Sequence, residues 1–131
     1  MTGGRMTERE EQIVRDFLNV FEEGDIAGSA RCFARDASYR MDAWNEPIVG
    51  VDAIRAEFLR QEGLWSDFRF DLLNIASTGS VVFTERVDRG RWRGKDMAVH
   101  VAGVFEIDED GKITAWRDYY DPQEVESQHS G

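Results

Sequence analysis

Two aspartates and an arginine are spaced in this chain so that they can do chemistry together. In "VVFTERVDRG", residues 81–90, Val81, Val82, Phe83 and Val87 are β-branched and aromatic residues that suit a half-buried strand. Side chains alternate along a strand, so Arg86 and Asp88 share one face. In "KITAWRDYYD", residues 112–121, the same alternation puts Trp116, Asp118 and Tyr120 on one face and Ile113, Ala115, Arg117 and Tyr119 on the other. A third segment, "MAVHVAGVFEID", gives Met97, Val99, Val101, Gly103 and Phe105 a common face, the most apolar available, which must look into the core. When neighbouring strands align their inner faces, Arg86, Asp88 and Asp118 project into a cavity walled by Met97, Val99, Val101, Trp116 and Tyr120. Burying two carboxylates with one guanidinium leaves a net negative charge, costly enough that the site takes up a proton. One carboxylate, one carboxylic acid and one guanidinium then form a push–pull acid–base set at neutral pH. The strand pattern alone also fits a structural ion pair at a sheet edge, with Asp118 facing solvent.

These side chains need elements to hold them. Thr7 followed by Glu10 has the form of a capping box, ahead of Ile13, Val14, Phe17, Leu18 and Phe21 at helical spacing, and Gly24 ends that helix. Asp25 caps a shorter second helix, "IAGSARCFARD", with Ile26, Ala30 and Phe33 inward. "ASYRM" is a short strand, and "DAWNEPIVG" a loop punctuated by Pro47 and Gly50. Asp52 caps a third helix, "AIRAEFLRQEG", closed by Gly63. The period then changes to two over "FRFDLLNIAS", "VVFTERVDR", "MAVHVAGVFEID" and "KITAWRDYYD", separated by the turn signals "TGS", "RGRWRGK" and "EDG". Three helices followed by a four-stranded antiparallel meander predict an α+β fold. The sheet curves over the helices, and one face encloses a pocket.

Composition narrows the function classes. At 131 residues the chain suits one domain, and 41% hydrophobic residues exclude a disordered chain. No run approaches the roughly 18 apolar residues of a membrane span. "MTGGRMTEREE" lacks the apolar core of a signal peptide, so the cytoplasm is the expected location; Met6 serves as well as Met1 for a start. Residues 1–6 and the polar tail 123–131, which carries His129, are expected to be flexible. A net charge of −10 argues against nucleic acid and anionic membrane as partners, and "RGRWRGK" reads as a solvated hairpin loop. Cys32, alone in the chain, reads as a small buried hydrophobe. Neither metal-ligand spacing nor a glycine-rich phosphate loop nor a nucleophile elbow occurs, so no metal or cofactor is expected. His100 lies opposite to Val99 and Val101 and points away from the pocket. It shares the sheet's outer face with Phe83, Val87, Ala102, Val104, Ile113, Ala115 and Tyr119, a face apolar enough to need a cover, for which a second copy is the natural closure.

The motifs "ERVD", "GVF" and "GKITAWRDYYD" in combination, over roughly residues 81 to 122, resemble the second half of the limonene-1,2-epoxide hydrolase family, within the cone-shaped SnoaL-like and ketosteroid-isomerase-like proteins. The resemblance implies that Arg86 bridges the two aspartates, that Asp88 is the general acid toward an epoxide oxygen, and that Asp118 is the base on the attacking water. It also implies a homodimer through the outer face. Members of the family hold the water with a Tyr-x-Asn motif. Tyr39 matches the tyrosine, but Met41 stands where the asparagine would be. The loop "YRMDAWNEPIVG", one residue longer than the family's, looks more like the isomerase-like relatives and offers Asp42 and Asn45. Asn45 is the expected replacement, because its amide donates and accepts without adding charge. The implied function is a cofactor-independent epoxide hydrolase acting on a small apolar epoxide. The rivals are an isomerase, dehydratase or cyclase of the same fold on a polyketide- or steroid-like substrate, and a binding module that holds an apolar ligand without chemistry.

Overall fold

The computed structural model describes residues 2–42 and 45–129, with side chains described for residues 8–42 and 45–128. Helix α1 spans Thr2–Glu22. Its Val14, Phe17, Leu18 and Phe21 are all buried, as their helical spacing requires. The helix takes in residues 2–6, expected to be flexible, so its start lies upstream of Thr7. Residue 1 and the capping contact of the Thr7 side chain lie outside the described residues. Glu10 accepts from Arg9 Nη1 at 3.0 Å.

The expected second helix is corrected to a short 3-10 turn, Gly28–Cys32, whose entry Asp25 holds by accepting the Gly28 amide at 3.1 Å. The chain is already extended at Phe33, and strand β1 runs Phe33–Arg40. Local pattern lost here to tertiary pairing: β1 lies parallel to the last strand, with Tyr39 opposite Trp116. Two residues, Ile48–Val49, form β2 on the free edge of β1. Helix α2, Val51–Glu62, starts one residue before the expected cap, with Gly50 at the cap position. Then comes the expected meander: β3 Trp65–Thr78, β4 Val81–Trp92, β5 Lys95–Ile107 and β6 Ile113–Tyr119.

Among the described residues the sheet has six strands in the order β2-β1-β6-β5-β4-β3, all antiparallel except β1 with β6. Register shifts between Ser66 and Arg69 and between Leu72 and Asn74 bend the long β3–β4 ribbon, and the sheet curls into a cone around α1 and α2. A third shift alters a face. Glu106 pairs with Ala115 but Ile107 with Ile113, so Thr114 is an extra residue on β6. A one-residue insertion flips the side chains beyond it. Ile113 is therefore fully buried in the core, not on the outer face as its alternation predicts.

The chain closes with helix α3, Pro122–His129, where the sequence predicts a flexible tail. The N-terminal half of β5 has no strand on its far side, because β6 pairs only with residues 102–107. Helix α3 supplies the missing partners: Gln128 bonds both the N–H and the C=O of Ala98, each at 2.8 Å, and Glu124 accepts the His100 amide at 2.6 Å. Residues 130–131 lie outside the described part. No described helix is long and apolar enough to cross a membrane.

Candidate active site

Arg86 and Asp88 sit on β4 and Asp118 on β6, with β5 between them, so the charged groups start roughly 10 Å apart, two strand spacings. The long arginine side chain spans that gap at one place. Gly103 of β5 is in register with Thr84 on one side and Asp118 on the other. A Cβ there would overlap Arg86 Nη1 and lie 2.8 Å from both Asp118 Oδ1 and Thr84 Oγ1. Without it, the guanidinium crosses β5. Nε and Nη2 donate to Asp88 Oδ1 and Oδ2 at 2.9 and 3.0 Å. Nη2 and Nη1 donate to Asp118 Oδ2 and Oδ1 at 2.9 and 3.3 Å, and Nη1 also donates to Thr84 Oγ1 at 3.1 Å. Those bonds match the five N–H donors of a guanidinium. Arg86 is 0% exposed, with the rings of Phe70 and Trp116 at 5.2 and 5.9 Å. Burial works against its charge, but Asp118 and Asp88 outweigh it and raise the arginine pKa further, so Arg86 is a fixed cation.

Asp118 is the more deeply set carboxylate. Burial raises its pKa, opposed by the charge and hydrogen bonds of Arg86 and by the Trp116 indole, whose Nε1 donates to Oδ1 at 2.8 Å. Raised basicity together with donors that favour the anion is what a general base needs. The parallel β1–β6 pairing brings Tyr39 into this group, its ring stacked on Trp116 with centroids 4.9 Å apart. Burial, and next the Asp118 charge, raise the Tyr39 pKa, so the phenol keeps its proton.

These groups line one end of a cavity of about 240 Å³. Tyr39, Met41, Asp88, Asp118, Met97, Val99, Val101, Trp116 and Tyr120 all face it, whereas Arg86, expected to project into it, lies behind them and does not line it. Asn45 does not. It is exposed, its amide donates to Asp42 Oδ2 at 2.7 Å, and its backbone N–H donates to Asp42 Oδ1 at 3.0 Å. An acidic neighbour three residues back ties it into a turn. The polar group that approaches Tyr39 is Gln61 of α2, whose Nε2 donates to Tyr39 Oη at 3.2 Å. The sequence held a signal for it: Ile54, Phe58 and Gln61 follow the i, i+4, i+7 stripe, and all three are buried, so an amide occupies a core position of an amphipathic helix. Thr84 and Val125, which closes the cavity from α3, also escaped the sequence reading.

The sequence model of the limonene-1,2-epoxide hydrolase catalytic domain matches residues 8–130. The chain belongs to this family. Epoxide hydrolase EphG of Mycobacterium tuberculosis is 33% identical over 113 residues, covering 82% of this chain and 70% of that protein. The fold is similar to the solved structure of an M. tuberculosis LEH-like epoxide hydrolase, with a TM-score of 0.82 and 28% identity over 95% of this chain and 92% of that one. A SnoaL-like protein from Shewanella denitrificans superposes equally well, with a TM-score of 0.82 and 20% identity over 92% and 96% of the two chains, which is a likeness of fold. Membership in the limonene-1,2-epoxide hydrolase family thus joins the cone and its charged end to a group of enzymes. The reaction of this chain is a separate matter.

Proposed function

We propose that this chain hydrolyses a small apolar epoxide to a vicinal diol in one step. The observation that carries the reading is Arg86, buried and bonded at once to Asp88 and Asp118, both of which line a mostly apolar cavity. Asp118, whose anion receives bonds from Arg86 and Trp116, takes a proton from water. The water oxygen bonds to an epoxide carbon, that carbon's C–O bond breaks, and its electron pair stays on the oxygen, which takes a proton from Asp88. The cluster has then gained one proton and lost one, so only a transfer from Asp118 back to Asp88 resets it. Arg86 remains charged throughout and holds the carboxyls apart. The test is diol formation from a panel of terpene and aromatic epoxides, followed by a single turnover in 18O-labelled water. Label in the diol supports direct addition of water. Label in the protein means an aspartate attacked, and the one-step reading fails. Rearranged product without diol favours an isomerase or cyclase on the same fold.

The outer face of the sheet exposes Leu73, Phe83 and Tyr119, at 55%, 44% and 43%, while Val87 beside them is buried and His100 turns outward to Glu124. That face suits a second copy of the chain. Ala102→Arg is expected to lower the mass seen by light scattering; a wild type that is monomeric at high concentration excludes the dimer.

A further inference from the structure

Gln61 has a restricted choice of partners. Its Nε2 lies 2.9 Å from Glu57 Oε2, 3.2 Å from Tyr39 Oη and 3.6 Å from Met41 Sδ. Glu57 is held in turn by Arg60, which donates to both of its oxygens at 2.9 and 2.8 Å and, first among the causes, lowers the Glu57 pKa. Residues 57, 60 and 61 sit at i, i+3 and i+4 on α2 and therefore share a face. A carboxylate only accepts, so the nitrogen of the Gln61 amide, not its oxygen, must face Glu57. That orientation also presents the nitrogen to Tyr39, whose oxygen accepts the bond. With its lone pair so engaged, the Tyr39 hydroxyl is free to donate on the cavity side, where Asp118 also faces.

We infer that Gln61, oriented by the Glu57–Arg60 pair, is the positioning residue that sets the Tyr39 hydroxyl toward the attacking water. This rests on the hydrolase reading above. A water that accepts from Tyr39 and donates to Asp118 keeps one lone pair for the epoxide carbon, and fixing that lone pair is what raises the rate. Gln61 acts through Tyr39. It touches neither Asp88 nor Asp118 in any hydrogen bond described above. Met41 already contacts the amide through its sulfur, a weak acceptor, so an amide side chain at position 41 is placed to take over the bond.

Gln61→Leu keeps the volume and removes the donor. With an epoxide turned over by the wild type, kcat is expected to fall roughly 10- to 1,000-fold, with KM within about threefold, because an apolar substrate does not need the amide to bind. Adding Met41→Asn to Gln61→Leu is expected to recover about tenfold or more of the lost kcat. The chain has three tyrosines, so ζ-13C-tyrosine labelling with Tyr39→Phe for assignment isolates the Tyr39 phenol signal. That signal is expected to move in folded Gln61→Leu. Wild-type kcat in Gln61→Leu overturns the inference, and so does a lower kcat with an unmoved Tyr39 signal. If the wild type makes no diol from any epoxide, the hydrolase reading falls on its own. An unmoved Tyr39 signal would then overturn the positioning claim as well, and a moved one would uphold it.

Discussion

Gly103 is where a single methyl group tests the site. Alanine in place of a strand glycine ordinarily stabilises by up to about 1 kcal/mol, because it removes freedom from the unfolded chain. At this position the sign should reverse. The new Cβ would overlap Arg86 Nη1 and lie 2.8 Å from Asp118 Oδ1 and Thr84 Oγ1. Relief requires the guanidinium to retreat by about 1 Å, the gap between such contacts and an ordinary carbon separation of about 3.5 Å. An arginine tip elsewhere would swing away, but this one is fully buried between Phe70 and Trp116 and tethered to Asp88 through two bonds. The bonds given up are those of Nη1 to Asp118 and Thr84, now 3.3 and 3.1 Å. Hydrogen bonds to charged groups contribute about 1.5–3 kcal/mol each. After the entropic gain, the net loss is roughly 2–5 kcal/mol, which lowers Tm by roughly 6–20 °C in a chain of this size. Calorimetry of Gly103→Ala reads the first quantity. Diol formation reads the second, which should fall at least about 100-fold as Asp118 loses its orientation. An alanine variant as stable as the wild type, or more so, would refute the idea that the arginine crosses β5 through the space this glycine leaves.

Asp88→Asn and Asp118→Asn should each lower kcat by several orders of magnitude, with the double variant little worse than either, because the two carboxyls act as a unit; near-additive losses would show that they act separately. Burial raises the Asp118 pKa above its unfolded value of about 3.9, so the folded chain binds that proton more tightly. This group therefore favours folding below the unfolded value, and the advantage is lost as pH rises through the folded one. The Tm of Asp118→Asn relative to wild type should accordingly climb as pH rises above the unfolded value; a flat or falling difference, read by scanning calorimetry, means the carboxyl is not raised. Asn45→Ala should turn over epoxide at the wild-type rate, since its amide is occupied by Asp42 at the surface. A large loss in steady-state assays would bring that loop back into the site.

Alternation by itself put Arg86, Asp88, Asp118, Met97, Val99, Val101, Trp116 and Tyr120 on inward faces, because a strand's period of two is a local property of the backbone. The meander and the helical stripe of α1 were legible for the same reason. What local pattern could not hold was anything decided by a distant partner. Residues 33–36 look helical, yet they extend because β6 offers an edge, and that parallel pairing is what brings Tyr39 beside Trp116. A single extra residue at Thr114 turned Ile113 inward, since a bulge depends on which strand lies opposite. The polar tail became α3 because half of β5 had backbone groups with no strand to pair them. Asn45 is nearer to Tyr39 along the chain than Gln61 is, but a loop residue can be captured by its neighbour, whereas a helix carries an amide across the fold to a fixed point. Gly103 shows the division most sharply. In the sequence it is one more small residue on an apolar face, and only the stacking of β4, β5 and β6 makes its missing side chain the passage by which one arginine reaches two aspartates.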